Sequence, residues 1–338
     1  MTVATSTALP QSWVERLDSL NHRLHAVGLA IDKVAADAPN PVRHALTVPG
    51  RRLRPALALV GAELGGVAQG KAEQFAAAIE LIHVASLVHD DVVDDAAVRR
   101  GQQSVHAAFG AGAAVISGDW LVARALHMLA NASGPAGLAC ALTTVERMSS
   151  AELRAFARAR DWGVEASALV QEATDKTASL FALALAGLLV GREGHEQLHL
   201  QLSTFGHELG LAFQILDDTA DLLAPRKSGG KPRLCDLASG KITLPLLLMY
   251  RATDSETKAW LDSRLGDPAA SAESHSRLLE IAAATGTVER LNEMVRERCD
   301  VALKQTQGSD VSPSWALLRD VVLAIGQEAD NLCSRSQK

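Results

Sequence analysis

Leu81-Ile82-His83-Val84-Ala85-Ser86-Leu87-Val88-His89-Asp90-Asp91-Val92-Val93-Asp94, followed closely by Arg99-Arg100-Gly101, is the stretch from which the fold can be read. An apolar run ends abruptly in carboxylates, and two arginines follow. On a helix, Asp90 and Asp94 lie one turn apart on the same face, with Asp91 flanking them. Three carboxylates this close repel one another and resist full ionisation unless a cation sits between them. All-oxygen ligands suit a hard ion such as Mg²⁺, which shares its shell with water and substrate phosphates. The arginines offer forked donors to those same phosphates. A solvated acidic helix end would account equally well for one such cluster alone.

A second cluster changes the balance. Gly210-Leu211-Ala212-Phe213-Gln214-Ile215-Leu216-Asp217-Asp218-Thr219-Ala220-Asp221 repeats the Asp-Asp-x-x-Asp spacing at the end of another apolar helical run. Arg226, Lys227, Lys231, Arg233 and Lys241 follow it. Two matched clusters, each trailed by cations, suggest two helices facing one site that holds several Mg²⁺ ions and a diphosphate. The rest of the chain reads as helix. Alanine and leucine, strong helix formers, dominate, and no strand-like alternation flanked by hairpin turns is visible. Breaks fall at Asp37–Pro41, Gly65-Gly66, Asn131–Pro135, the polar loop Pro225–Gly240, Gly266–Pro268 and Gly308–Asp310. Residues 1–12 read as disordered. The clusters lie 127 residues apart yet serve one site, which favours a single all-α domain over 13–338.

With both clusters on the page, the chain resembles the trans-isoprenyl diphosphate synthases, or polyprenyl synthetases. Besides the aspartates, the resemblance includes Gly50-Arg51-Arg52-Leu53-Arg54-Pro55, Arg99-Arg100-Gly101, Gly118-Asp119, Lys176-Thr177-Ala178-Ser179-Leu180-Phe181, Phe213-Gln214 and Gly240-Lys241-Ile242-Thr243-Leu244-Pro245. It implies one large helical domain with a central active-site cavity, the isoprenoid synthase type of all-α fold. It also implies a reaction: an allylic diphosphate ionises, and isopentenyl diphosphate attacks the resulting cation. The Mg²⁺ ligands implied are Asp90, Asp94, Asp217 and Asp221, with Asp91 and Asp218 close by, for three ions per site. Arg99, Lys176, Thr177, Gln214, Lys231 and Lys241 are the implied allylic-diphosphate contacts, and Lys176 and Lys241 also support catalysis. Arg51, Arg54, His83 and Arg100 are implied to hold isopentenyl diphosphate without metal. A homodimer is expected on the same ground.

Composition excludes several alternatives. The 338 residues carry a formal net charge of −6, which argues against general nucleic-acid binding. Four scattered cysteines show neither zinc spacing nor a disulfide framework, as suits a reducing cytoplasm. The N-terminus lacks the basic start and apolar core of a secretory signal. The longest apolar stretch, Ser179–Gly191, falls short of the ~20 residues that span a bilayer, so no transmembrane segment is expected and this stretch reads as a helix buried on all sides.

Departures from the family pattern are local. Arg51 stands where lysine is usual. Ala151-Glu152-Leu153-Arg154-Ala155 replaces a Gly-Glu-x-x-Gln pattern, and Leu234 replaces a glycine. Family members making short products tend to carry bulky aromatics four or five positions before the first aspartate, where this chain has Ser86 and Ala85. A channel past Ser86 towards Ile82 and Ile79 would accept products of C20 or longer. Two other readings remain, a class I terpene cyclase and a subunit of a heteromeric prenyl synthase.

Overall fold

The computed structural model describes residues 18–47, 50, 52–223, 237, 239–267, 272–307 and 312–336. The chain begins with α1 (Asp18–Ala36), α2 (Asn40–Leu46), α3 (Leu53–Leu64) and α4 (Gln69–Val93). Pro41 lies in the first turn of α2, where a missing N–H costs nothing. A minimal hairpin of β1 (Val98–Arg99) and β2 (Gln102–Gln103) follows, antiparallel, with Arg99 opposite Gln102. Sequence reading does not anticipate it, because two-residue strands carry no alternation. Its turn is made by Arg100 and Gly101, both at positive φ, 51° and 82°.

Then come α5 (Val105–Phe109), α6 (Ala111–Ala157) and α7 (Ala166–Ala173), which runs through a π turn at Thr174–Ala178 into α8 (Ser179–Ala186). The chain continues as α9 (Glu196–Leu223), α10 (Leu244–Ala252), α11 (Ser255–Arg264), α12 (Ala272–Ala284), α13 (Thr287–Lys304) and α14 (Pro313–Ser336). The turn expected at Asn131–Pro135 is instead a kink inside α6, at Gly134 with φ 70° and ψ −172°. Helix α6 lies along α4, and α9 packs on α8 and α13.

The apolar helix α8 is the axis of the bundle. Ser179, Leu180, Phe181 and Leu183–Ala186 are all buried, as the sequence leads one to expect. Neighbours reach it through glycines. A Cβ on Gly61 of α3 would lie 1.9 Å from the Leu185 carbonyl oxygen, and one on Gly210 of α9 would lie 2.6 Å from Ala178 Cα. Only hydrogen fits at either position, so both helices sit flush against α8. That contact fixes where α9 ends, and so where its aspartates lie.

Among the described residues, α6 is long and apolar enough by length and composition to cross a bilayer. An alternative use for those apolar residues is visible: Leu121, Ala125 and Leu129 are fully buried within the bundle.

Candidate active site

The C-terminal ends of α4 and α9 open into one cavity of about 1020 Å³. A helix C-terminus carries a partial negative charge, and neither helix has a basic residue in its last turn. Placing aspartates there is intrinsically unfavourable, so the site requires cations from elsewhere. Asp90 and Asp94 of α4 line the cavity, and Asp217, Asp218 and Asp221 of α9 line it too.

Cations arrive from two other elements. Lys176, on the π turn before α8, places Nζ 3.1 Å from Asp90 Oδ2 and also bonds Glu152. Lys241, just ahead of α10, lies 3.8 Å from the other oxygen of Glu152. Burial raises the Asp90 carboxyl above its ordinary pKa, with Lys176 opposing the rise. Burial acts the same way on Glu152, but Lys241 and Lys176 outweigh it and hold that carboxyl below its usual value. Glu152 therefore lies between the two lysines and is held ionised by them. Sequence reading noted it only as part of an altered motif. The signal was a lone carboxylate one turn after the buried Met148 of an apolar helix.

Hydrogen bonds orient the α9 side of the site. Thr177 Oγ1 donates to Gln214 Oε1 at 2.6 Å, and Gln214 Nε2 donates to Asp218 Oδ1 at 2.7 Å. Asp218 is thus oriented by Gln214, one turn earlier on its own helix.

Asp91 departs from the expected ligand set. It is 2% exposed, does not line the cavity, and accepts a bond from Arg99 Nε at 2.7 Å. Asp91 lies about 100° round the helix from Asp90 and faces the hairpin rather than the cavity. Asp91 instead anchors the hairpin arginine, which does line the cavity.

The same cavity also gathers Arg52, Arg54, His83 and Arg100. Burial lowers Arg54 to about 10, while Glu80 and Asp217 act to raise it. Its guanidinium lies 4.7 Å from the centre of the Phe181 ring, a cation–π contact. Burial, then Arg54, Arg100 and Arg99, hold the His83 imidazole well below its ordinary pKa, so the ring is neutral at pH 7. Glu80, one turn before His83, is 5% exposed and raised by burial, with Arg54, Arg100 and Arg52 opposing. Sequence reading missed it, although a glutamate inside an apolar helical run needs a partner when buried.

Of the four positions placed along a channel on α4, only Ser86 lines the cavity. Ala85, Ile82 and Ile79 are buried at 0%, 2% and 0% and pack into the core. Positions 82 and 79 step away from the cavity face, and the wall continues through Met148, Ala151 and Ala155 of α6 and Leu169 and Ala173 of α7. Arg51, Lys231 and Leu234 lie outside the described residues.

Among the described residues, no three carboxylate, thiolate or imidazole groups converge closely enough to cage a metal ion. The donor set is nonetheless all carboxylate and split between two helix ends across an open cavity. That suits an ion held by one or two carboxylates and completed by substrate phosphates and water, as Mg²⁺ prefers.

The fold is the all-α fold of the isoprenyl synthases. The polyprenyl synthetase family profile matches residues 37–282, and the chain belongs to that family. It is 34% identical over 292 residues to a short chain isoprenyl diphosphate synthase of Methanothermobacter thermautotrophicus, covering 83% of this chain and 88% of that protein. It is 32% identical over 286 residues to heptaprenyl diphosphate synthase component 2 of Geobacillus stearothermophilus, covering 84% and 88%. A polyprenyl synthase from Caulobacter crescentus, solved with calcium and isoprenyl diphosphate, superposes with a TM-score of 0.82 at 26% identity over 93% of this chain and 97% of that one.

Proposed function

We propose that this chain is a Mg²⁺-dependent, chain-elongating prenyltransferase. It condenses isopentenyl diphosphate with an allylic diphosphate to give an all-trans polyprenyl diphosphate of C20 or longer. The observation that supports this reading is a single cavity lined by paired carboxylates, two lysines, arginines and a neutral histidine.

Each set of residues has its own task. Ionisation of an allylic diphosphate moves negative charge onto the leaving group. Lys176, Lys241 and Arg99, all lining the cavity, would stabilise that charge electrostatically. Bound Mg²⁺, held by Asp90, Asp94, Asp217 and Asp221 with Asp218 adjoining, would add Lewis-acid stabilisation of the leaving group. Thr177 and Gln214 fix the allylic substrate's surroundings through their shared hydrogen bond. Arg54, Arg100 and His83, with Arg51 and Lys231 joining the two sets from outside the described residues, complete the diphosphate contacts. Neutral His83 can donate one N–H to a diphosphate oxygen without adding a buried charge. The apolar wall of Met148, Leu169 and Leu180 accepts the growing hydrocarbon.

The protein works as a homodimer in the cytoplasm. Val115 and Ile116 are exposed side by side on α6 at 43% and 70%, apolar surface that a second copy would cover. The test is incubation of the purified protein alone with Mg²⁺, isopentenyl diphosphate and an allylic primer, with mass spectrometry of the products. Elongated diphosphates are expected. The likeness to a synthase named as a component favours one second reading, a subunit of a heteromeric synthase. Activity that appears only with a second protein would establish that reading, and a cyclic hydrocarbon product would indicate a terpene cyclase.

A further inference from the structure

We infer that Arg160 is a positioning residue for Lys241, acting through a backbone clamp that ties three loops together. This rests on the proposed role of Lys241 as a diphosphate contact.

Arg160 lies in the connection between α6 and α7 and has φ 65°. A bulky residue in the left-handed region is strained and persists only where its surroundings hold it. Here they do. The Arg160 backbone N–H donates to the Gly240 carbonyl at 3.2 Å. Its guanidinium donates to the Gly266 carbonyl at 3.3 Å. The Leu237 carbonyl then accepts from the backbone N–H of Gly240 at 3.1 Å and of Gly266 at 2.7 Å. Arg160, Leu237, Gly240 and Gly266 therefore form one closed set of hydrogen bonds.

Both glycines are required by this geometry. Each has φ 78°. A Cβ on Gly266 would lie 2.0 Å from Arg160 Nη2, and one on Gly240 would lie 3.1 Å from Nε. The arginine side chain lies flat across the space left by two absent side chains.

Lys241 is the residue immediately after Gly240. Its other side is fixed by a second set of contacts to the same connection. Arg251 of α10 donates to the Val164 carbonyl at 2.7 Å, and the Trp162 and Tyr250 rings stack at 4.1 Å. A lysine has high rotamer entropy, and a lysine on an unfixed backbone adds the cost of ordering that backbone. The clamp removes the second cost before the ligand arrives.

The experiment is a double-mutant cycle read by calorimetry with inorganic diphosphate and Mg²⁺. Arg160→Gly keeps access to the left-handed backbone and deletes the guanidinium. It should weaken diphosphate binding roughly 5–10-fold. Lys241→Ala should weaken it at least as much, and the double variant should bind no more weakly than Lys241→Ala alone. Gly266→Ala, which drives a methyl into the guanidinium, should reproduce the Arg160→Gly effect. Melting temperatures check that each variant folds. Additive losses, or unchanged binding in Arg160→Gly, would overturn the inference. A wild type that binds diphosphate through Lys241 but makes no prenyl product would sink the proposed function and leave this coupling intact.

Discussion

The α4 and α9 ends of the cavity carry the same Asp-Asp-x-x-Asp spacing and solve its electrostatics differently. On α4, the first aspartate is bonded to Lys176 and the second to Arg99. On α9, the first aspartate is exposed and the second is bonded to the neutral amide of Gln214. The α4 end is therefore built into the protein's own charge network before any ligand arrives. The α9 end presents Asp217 to solvent. Identical motifs thus need not have identical energetics, because what the neighbours supply decides which carboxylate serves structure and which serves ligand.

The largest effects should come from the first aspartates. Asp217→Ala removes an exposed carboxylate, and turnover should fall about 10³-fold, with helical content and melting temperature unchanged. Asp90→Ala should cost as much turnover. It should also alter the unliganded protein, because Lys176 loses one of its two carboxylate partners. Circular dichroism melts beside steady-state rates check both. Near-normal turnover of both variants in Mg²⁺ buffer would contradict the assignment, and identical melts would erase the contrast between the two ends.

The next effects separate the two sets of residues in the cavity. Arg54→Ala should raise the KM for isopentenyl diphosphate about 10-fold and leave that of the primer nearly unchanged. Lys241→Ala should act on the primer and on kcat. Equal effects of both changes on both substrates would mean that the cavity has one diphosphate site rather than two.

The difference between the helix ends also shows what the sequence could reveal. The all-α fold was legible because apolar runs at helical spacing ended at Gly, Pro and Asn signals. That the two aspartate clusters line one cavity was legible because the same spacing recurs at the ends of two apolar helical runs. Asp91 was not, since spacing alone does not say which of two adjacent carboxylates turns towards a cation eight residues later. Glu152 and Glu80 were hidden because one carboxylate in an apolar helix has no pattern of its own. Its meaning depends on the lysines or arginines that packing brings to it. The positive φ of Arg160 is invisible for a similar reason, as no local rule places arginine there.

A smaller effect tests the neutral histidine. Burial and three arginines lower the His83 pKa below 6.5 in the folded state. The unfolded chain therefore takes the proton first as pH falls. Stability is retained above pH 6.5 and lost between pH 6.5 and the folded pKa, by at most about 1.4 kcal/mol per pH unit. His83→Gln removes this loss. Its melting temperature should fall less than that of wild type between pH 8 and pH 5.5. Glu80 is present in both proteins, so its own titration cancels in the comparison. Parallel melting curves would show that His83 is not held neutral.

The smallest change in rate, though not in product, concerns chain length, and it separates the wall of the cavity from the core beneath it. Ser86 lies four residues before Asp90, about 6 Å along the helix, and lines the cavity. Ser86→Phe should fill the space beside the allylic end and shorten the product by at least one isoprene unit. Ile82 lies one turn further down but is 2% exposed and packed in the core. Ile82→Ala should therefore leave the product ladder unchanged while lowering stability by about 2–5 kcal/mol. Met148 of α6 is 9% exposed and lines the same cavity as Ser86. Met148→Ala should extend the ladder by opening the apolar wall. Reverse-phase chromatography with a fixed primer reads all three variants. A longer ladder from Ile82→Ala and an unchanged one from Met148→Ala would put the hydrocarbon along α4 rather than between α6 and α7. An unchanged ladder from Ser86→Phe would place it away from this face altogether.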